Sequence, residues 1–306
     1  MLRQRLLIAL IAAAAAVDLL DLFVAYVGTP SCYRQPVLVS INATHLLAFA
    51  EGRENGYCSG GADGHNSSIW VRTSADGGSS WTSGRMLYDA PPMPDYLSAV
   101  HDGASGRTLL FIQTQPNLVT FSDDAGASWS KPTAVNITLP PGITSASPGV
   151  AHGIQLRGDL CAEPTCGGAA GRLVVAWVCH GPKAAAAAAL RARLGDLSCP
   201  GCYSCLATSD DGGATWAVAP GAVALAQEGS REASIVQLRS SAHASASAVV
   251  YASERNMGSS TGHRWHSISV DGGRSLSLFG DDPSLPDGDT KNWTVRAPRP
   301  SPRTRA

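Results

Sequence analysis

SADGGSSW, at Ser74–Trp81, is the stretch that decides the fold, because close copies of it recur along the chain. The others are SDDAGASW at Ser122–Trp129, SDDGGATW at Ser209–Trp216 and a weaker SVDGGRSL at Ser269–Leu276. In a full copy the aspartate can accept hydrogen bonds from backbone N–H groups, the glycine permits a left-handed conformation, and the tryptophan packs beneath. Such a turn joins two antiparallel strands, so a recurring copy predicts a recurring hairpin.

The spacing of the copies predicts a β-propeller. They begin at residues 74, 122, 209 and 269, so successive starts lie 48, 87 and 60 residues apart. That spacing suits roughly one copy per four-stranded blade, with the long gap holding an insertion or a blade without the motif. Abundant glycine and proline, with only 15% charged residues, are typical of many short strands joined by tight turns. We therefore expect an all-β fold.

The bulk composition excludes several classes of function. A chain of 306 residues can form one large domain with a real core. Its net charge of −1 gives no indication of binding to nucleic acid or to an anionic membrane surface. The sequence contains no glycine-rich phosphate loop, metalloprotease helix or nucleophile elbow.

The amino terminus, residues 1–28, is typical of an export signal. Arg3 and Arg5 precede an apolar run from Leu6 to Val17, which is short for a membrane span, and alanines offer cleavage sites. A cleaved signal peptide is favoured over an uncleaved anchor that would hold the protein to a membrane on its luminal side.

Glycosylation sequons and cysteines agree with export. Sequons begin at Asn42, Asn66, Asn136 and Asn292, and the eight cysteines are even in number. Cys199, Cys202 and Cys205 form a C-x-x-C-x-x-C run that could hold zinc or part of an iron–sulfur centre. Disulfides are the favoured interpretation in an oxidising compartment, with Cys161–Cys166 as a candidate pair.

Beyond Leu276 the alternating pattern stops. Residues 281–306 are rich in aspartate, proline and arginine, and Trp293 is the one core-type residue among them. We predict a disordered tail there and a propeller over residues 29–280. About four to five blades of sequence are recognisable, so the propeller is expected to be incomplete at its carboxy-terminal end.

Four further segments carry a resemblance to a known family. YRQP at Tyr33–Pro36 is similar to the signature that opens sialidase domains, with Gln35 in place of isoleucine, and LLAFAEGR follows at Leu46–Arg53. Glu232–Leu238 and Tyr251–Asn256 resemble the strands that bear the family's catalytic glutamate and second arginine. With the repeated turns, known in that family as Asp-boxes, residues 32–276 resemble the sialidase (neuraminidase) superfamily, which implies a six-bladed propeller.

The resemblance implies residues that bind a sialic acid. This sugar has a carboxylate on its anomeric carbon, and arginine offers the planar, bidentate partner that a carboxylate needs. Arg34 and Arg255 match two of the family's three arginines. Arg53 matches a family residue that contacts the ring hydroxyls or the amide group of the sugar. Asp95 aligns more loosely, as a candidate for the same side of the binding site.

The resemblance also implies the catalytic groups. Asp63, in a glycine-rich loop, matches the general acid/base. A carboxylate nucleophile would be repelled by the sugar's own carboxylate, so sialidases use a tyrosine deprotonated by a glutamate, and Glu232 matches that glutamate.

The chain departs from the family at its carboxy-terminal end. The family's third arginine and its tyrosine follow the fourth Asp-box, but no tyrosine follows Tyr251 in this sequence. Tyr88, Tyr96 and Tyr203 have the wrong order along the chain for the role, and we predict that they are core or loop residues.

The expected function is therefore that of an exo-α-sialidase-like retaining glycosidase. Its partners would be sialylated glycoproteins, gangliosides or oligosaccharides, and its location the secretory pathway, whether secreted, lysosomal, vacuolar or membrane-anchored. The resemblance implies no cofactor and no metal. The alternative is a truncated, non-catalytic propeller that binds sialic acid or uses its Asp-boxes for adhesion or assembly.

Overall fold

The computed structural model describes residues 20–24, 30–54, 66–91, 94–182, 201–240, 248–256 and 262–287. Its strands, β1 to β19, form four sheets, with two short 3-10 helices at Gly158–Leu160 and Cys166–Gly168. The prediction of an all-β propeller, incomplete at about four blades, is confirmed. Because each sheet contains one Asp-box, the 87-residue gap holds an insertion within the third sheet rather than an extra blade.

The first two sheets, called sheets 1 and 2, follow each other along the chain. Sheet 1 has the order β1-β2-β3-β4 and sheet 2 the order β11-β5-β6-β7-β8. In sheet 1 the strands are β1 (Cys32–Ser40), β2 (Leu46–Arg53), β3 (Ser67–Ser74) and β4 (Arg85–Tyr88). In sheet 2 they are β5 (Leu97–Asp102), β6 (Arg107–Ile112), β7 (Leu118–Ser122), β8 (Thr133–Ala134) and β11 (Ala151–His152).

Sheets 3 and 4 complete the described part. Sheet 3 has the order β10-β13-β14-β15-β9, with β12 also paired to β13, and sheet 4 has the order β16-β17-β18-β19. The strands of sheet 3 are β9 (Ile137–Thr138), β10 (Ser145–Pro148), β12 (Ile154–Gln155), β13 (Leu173–His180), β14 (Cys202–Ser209) and β15 (Trp216–Val223). Those of sheet 4 are β16 (Ser230–Leu238), β17 (Val249–Asn256), β18 (His263–Ser269) and β19 (Ser277–Pro286).

Each Asp-box turn joins two antiparallel neighbours, as predicted. In the first, Ser74 Oγ donates to Asp76 Oδ1 at 2.8 Å and accepts the Gly78 N–H at 2.8 Å. Asp76 Oδ1 also accepts the Ser80 N–H at 2.8 Å. The same set of bonds surrounds Asp124, Asp211 and Asp271. The weaker fourth copy therefore forms the same turn although Leu276 replaces tryptophan.

From the second box onward, the glycine at the fifth position of the box lies against the preceding sheet. A Cβ at Gly126 would be 2.6 Å from Cδ2 of Leu47 in sheet 1, and one at Gly213 would be 2.7 Å from Cδ1 of Leu109 in sheet 2. A Cβ at Gly273 would be 3.1 Å from Cγ2 of Thr208 in sheet 3. The boxes thus set how closely successive sheets approach.

Successive sheets pack face to face through alternate residues of each strand. On β6, Leu110 and Ile112 belong to a buried cluster that includes Phe49 of sheet 1. Leu109 and Phe111 of the same strand point the other way, into a second cluster shared with sheets 3 and 4. Because side chains alternate along a strand, sheet 2 is buried on both faces.

The predicted boundary of the disordered tail at residue 280 is wrong. Residues 281–286 belong to β19, which pairs with β18 and completes sheet 4. Tyr251 Oη donates to Asp282 Oδ2 at 2.6 Å across this sheet. An edge strand can be largely polar because one side of it stays open, so the composition concealed it. The rest of the predicted tail, 288–306, lies outside the described residues.

Disulfides hold sheet 3 and its insertion. The predicted Cys161–Cys166 bond is confirmed. Cys205 is bonded to Cys179 on the neighbouring strand, and Cys202 is disulfide-bonded as well, so these two sulfurs of the C-x-x-C-x-x-C run are not metal-binding thiolates. Across the described ranges, no group of His, Cys, Asp and Glu is arranged to hold a metal ion.

The amino-terminal segment is described only at residues 20–24, and the rest of the predicted signal region lies outside the described residues. The ring of Phe23 lies 5.1 Å from that of Tyr33 in β1. A search of the described ranges finds no helix of the length and hydropathy required to span a membrane.

The close approach at Gly126 can be tested by substitution. Gly126 has φ +88° and Leu47 in contact, so Gly126→Ala combines backbone strain with overpacking and should lower the free energy of unfolding by about 2–4 kcal/mol. The control is Gly142→Ala, where φ is +86° and nothing lies within 4 Å, so strain alone should remove about 1 kcal/mol. Urea unfolding of both variants measures the difference. Equal losses would contradict the packing role of Gly126.

Candidate functional site

The first strands of sheets 1 and 4 share an irregularity. In β1 and in β16, two residues oppose one on the neighbouring strand, which is a β-bulge. Gln35 lies in the first bulge with φ 53°, and Glu232 lies in the second with φ 51°. A non-glycine residue in this region costs about 1–3 kcal/mol and persists where its surroundings hold it, often at functional sites. The bulge therefore singles out Glu232.

Glu232 lies at the centre of a half-buried group of charges. Arg255 Nη1 lies 2.8 Å from Glu232 Oε1 and 2.9 Å from Oε2. Arg231 Nε lies 3.5 Å from Oε1. The hydroxyl of Tyr96 donates to the same oxygen at 3.5 Å. Two of the predicted site residues, Glu232 and Arg255, are thus in direct contact.

A second group of charges lies in sheet 1. Arg53 donates from Nε to Glu51 Oε1 at 2.9 Å and from Nη2 to Oε2 at 3.0 Å, and both side chains are fully buried. Burial raises the pKa of Glu51 to about 7, whereas the hydrogen bonds and charge of Arg53 lower it. The charge of Asp95 raises this pKa further and that of Arg34, opposite Glu51 across the sheet, lowers it. Three predicted site residues therefore surround Glu51.

Asp95 and Tyr96, the two residues just before β5, link the two groups. Asp95 N donates to the carbonyl of Gln113 at 3.1 Å, and Gln113 N donates to that of Tyr96 at 2.8 Å, which extends the β5–β6 ladder. Successive side chains of an extended strand point to opposite sides. Accordingly, Asp95 acts on the charge of Glu51, while Tyr96 reaches Glu232. Asp95 and Tyr96 therefore connect the group around Glu51, which includes Arg34, to the group around Glu232.

Two residues of this site escaped the sequence-based analysis. Glu51 was present in the segment that resembles the family, but only its pairing with Arg53 reveals its place. Tyr96 lies in the loop before β5, as predicted, but its contact with Glu232 was not foreseen from the sequence. Tyr203 is buried in the core, as predicted. Asp63 lies outside the described residues, so its role stays a prediction.

The fold of the chain is similar to that of several solved structures. No family model matches the sequence. A Hadza microbial sialidase is 18% identical, with a TM-score of 0.57 over 84% of this chain and 47% of that one. The intramolecular trans-sialidase of Ruminococcus gnavus is 13% identical, with a TM-score of 0.59 over 83% and 71%. The Trypanosoma rangeli sialidase is 15% identical, with a TM-score of 0.53 over 80% and 37%.

The fold is that of the sialidases. The chain spans 47% of the Hadza sialidase and 37% of the Trypanosoma enzyme, so it matches part of each. At these identities the likeness establishes the fold, and the predicted resemblance to sialidases is confirmed at that level. The roles of the individual site residues stay predictions.

A cavity of about 450 Å³ lies beside the group of charges around Glu232. Gln113, which holds the backbone of Tyr96, lines it together with Asn117, Ser147 and His180. Burial lowers the pKa of His180, and the charge of Arg231 lowers it further, which places the cavity next to the group around Glu232. Its volume falls within the range of about 300–1,000 Å³ that small-ligand sites occupy.

Removing the partner of Arg53 should be strongly destabilising. Glu51→Gln leaves a fully buried guanidinium without its countercharge, so we expect the free energy of unfolding to fall by about 3–5 kcal/mol. Glu163→Gln, at an exposed position, is the matched control and should change it by less than about 0.5 kcal/mol. Urea unfolding at about pH 9, where a carboxyl with a pKa of about 7 is ionised, measures both. A loss below about 1 kcal/mol for Glu51→Gln would show that water reaches this pair.

Glu254, beside Arg255, makes stability depend on pH. Its side chain is fully buried, and burial raises its pKa to about 7 against the lowering effects of a Ser267 hydrogen bond and the charge of Arg264. The unfolded chain releases this proton near pH 4.5, so between 4.5 and 7 the folded state binds more protons.

We therefore expect the free energy of unfolding to fall as pH rises from about 4.5 to 7, by about 3 kcal/mol from Glu254. In Glu254→Gln the pH dependence should be shallower by that amount, because an amide does not titrate. Urea unfolding at several pH values measures this, with Glu163→Gln again as the control. A variant with the wild-type slope would exclude Glu254 as the source.

Proposed function

We propose that this protein binds the terminal sialic acid of glycoproteins, glycolipids or oligosaccharides and hydrolyses its glycosidic bond, as an exo-α-sialidase-type glycosidase. The observation on which this rests is the Glu232–Arg255 pair, set in a strained bulge on a sialidase fold. The Trypanosoma rangeli sialidase of the same fold has been solved in complex with sialic acid, which supports an acidic sugar as the ligand.

Charge complementarity supports the same ligand. Arg34 and Arg255 are half-buried, so each offers a guanidinium that is partly shielded from water, where a charge-assisted bond to a carboxylate is stronger. In this proposal Arg255 holds Glu232 in place and also faces the carboxylate of the sugar.

The remaining roles follow from position. Asp95 and the buried Glu51–Arg53 pair form the side of the site next to Arg34 and orient the Arg34 side chain. Asp63 would protonate the leaving oxygen, as the resemblance implies. Glu232 would accept a proton from the nucleophile, since a carboxylate in contact with a hydroxyl is placed to act as a general base.

A propeller that binds sialic acid without cleaving it is the second candidate. It is favoured by the Glu232–Arg255 pair, which can help to hold an acidic sugar without any nucleophile. The two candidates share the arginines and differ only in turnover, so a binding assay and a hydrolysis assay on the same protein separate them.

We also propose that the protein enters the secretory pathway. The basic and then apolar amino terminus, the sequons and the disulfides support this, because disulfides persist in oxidising compartments. Whether residues 1–28 are cleaved or anchor the chain to a membrane would be read from the amino-terminal sequence of the mature protein.

The binding of a sialic acid analogue tests the proposal. Arg34→Ala should raise the Kd of 2-deoxy-2,3-didehydro-N-acetylneuraminic acid by about 10- to 100-fold, because a hydrogen bond to a charged group contributes about 1.5–3 kcal/mol. Arg34→Lys should recover part of this loss, since an ammonium ion lacks the bidentate fork. Calorimetric titration measures both.

Arg157→Ala is the matched control for this titration. Arg157 is exposed and paired with Asp159 in the insertion of sheet 3, so its removal should leave the Kd unchanged. An analogue that fails to bind the wild-type protein, or binds Arg34→Ala equally well, would contradict the role of Arg34.

A further inference from the structure

We propose that Arg264 is a positioning residue, which fixes the direction of Glu232 through the backbone and does not touch the ligand. This inference rests on the proposed hydrolysis of sialosides, in which Glu232 would be the general base. The observation that carries it is a hydrogen bond of 3.2 Å from Arg264 Nη2 to the carbonyl oxygen of Glu232. No sequence motif singles out Arg264, which lies on β18, 32 residues after Glu232.

The bulge in β16 gives the carbonyl of Glu232 a need for such a partner. A β-bulge disrupts the hydrogen-bond ladder locally and leaves its extra residue unpaired. In this bulge Glu232 and Ala233 oppose the single residue Glu254. Glu232 has φ 51°, a conformation that persists only where its surroundings hold it. The guanidinium of Arg264 therefore lies where the ladder of sheet 4 cannot itself fix the chain.

Arg264 is itself held on several sides. Its Nε donates to Ser253 Oγ at 2.9 Å, and its Nη2 donates to the Ser253 carbonyl at 2.9 Å. Its Nη1 lies 4.0 Å from Asp287 Oδ1, and only 24% of the Arg264 side chain is exposed. Asp287 is fixed in turn, because its N–H donates to the Gly262 carbonyl at 2.8 Å. One rigid planar group thus joins β16 and β17 to the residue that follows β19.

These contacts distinguish Arg264 from the arginines that are proposed to bind the sugar. Each of its three nitrogens faces an oxygen of the protein: a hydroxyl, main-chain carbonyls or a carboxylate. Arg255 on the neighbouring strand holds the carboxylate of Glu232 instead. One arginine therefore holds the side chain of Glu232 and the other holds its main chain. A displacement of about 1 Å in an active site can cost about a hundredfold in rate, so both anchors matter.

The experiment replaces Arg264 in the full chain by lysine and by glutamine and applies two measurements to both variants. The first is the hydrogen–deuterium exchange of the peptide that covers β16, Ser230–Leu238. The second is kcat and KM for the hydrolysis of 4-methylumbelliferyl sialoside. Arg264→Lys keeps the charge without the planar fork, and Arg264→Gln keeps an amide donor without the charge. The two variants thereby separate the effect of geometry from that of charge.

In both variants we expect the amides of the bulge to exchange at least about tenfold faster, because the local backbone is released. We expect kcat to fall by about 10- to 100-fold, since the base loses its position. KM should change by less than about threefold, because Arg34 and Arg255 remain. Arg274→Lys and Arg274→Gln are the matched controls and should behave as wild type does. Arg274 lies in the Asp-box of the same sheet, is 61% exposed and pairs with Asp210.

Ser253→Ala tests the same contact while the charge of Arg264 stays intact. It removes the hydroxyl that accepts the Nε bond, so the guanidinium is held less firmly and kcat should fall by about two- to fivefold. In the Arg264→Lys background the same substitution should have no further effect, because Ser253 acts through the guanidinium. Losses that multiply would show that the two residues act separately, which contradicts the proposal. This milder variant decides the question if an Arg264 variant does not fold.

The outcomes separate this inference from the proposed function. Wild-type exchange in the bulge, or a wild-type kcat in Arg264→Lys, would overturn the positioning role and leave the proposed hydrolysis standing. A raised KM with an unchanged kcat would overturn it as well, because Arg264 would then act on the ligand. If the wild-type chain does not hydrolyse the sialoside, the proposed hydrolysis fails and this inference fails with it, whatever the exchange rates are.

Discussion

Backbone contact between an Asp-box turn and the sheet before it sets the geometry of the whole molecule. At Gly126 and Gly213, even a methyl group would collide with a leucine of the preceding sheet. Such an approach needs a turn whose shape does not vary, and the buried serine of each box supplies it by bridging an aspartate oxygen and a glycine N–H. Because the spacing between sheets is fixed at the boxes, the first strands of the sheets are brought together at the site.

The site therefore depends on strand ends rather than on neighbouring positions in the sequence. Glu232 leaves the regular path of β16 at a bulge, and its side chain meets Arg255 from the adjacent strand. The strained φ of Glu232 is offset by that ion pair and by the hydrogen bond from Tyr96. A bulge one residue earlier or later would turn the carboxylate to the opposite face of the sheet.

The fold could be predicted from the sequence because its determinants are local. A box needs only a serine, an aspartate, a glycine and a hydroxyl residue within eight positions, and each of them makes its hydrogen bonds inside the turn. The pairing of Glu232 with Arg255 was likewise accessible through the resemblance to sialidases. The strand at 281–286 was missed because a strand at the open edge of a sheet can have mostly polar side chains. The contact of Tyr96 was missed because its partner lies 136 residues away.

Long-range contacts of this kind explain why chain order is a poor guide to roles in a propeller. Sheets 1 and 4 and the residues just before β5 of sheet 2 all contribute to the site, so residues far apart in the sequence meet there. What selects among them is direction: Asp95 and Tyr96, just before β5, act on different groups of charges because side chains of adjacent extended residues point to opposite sides.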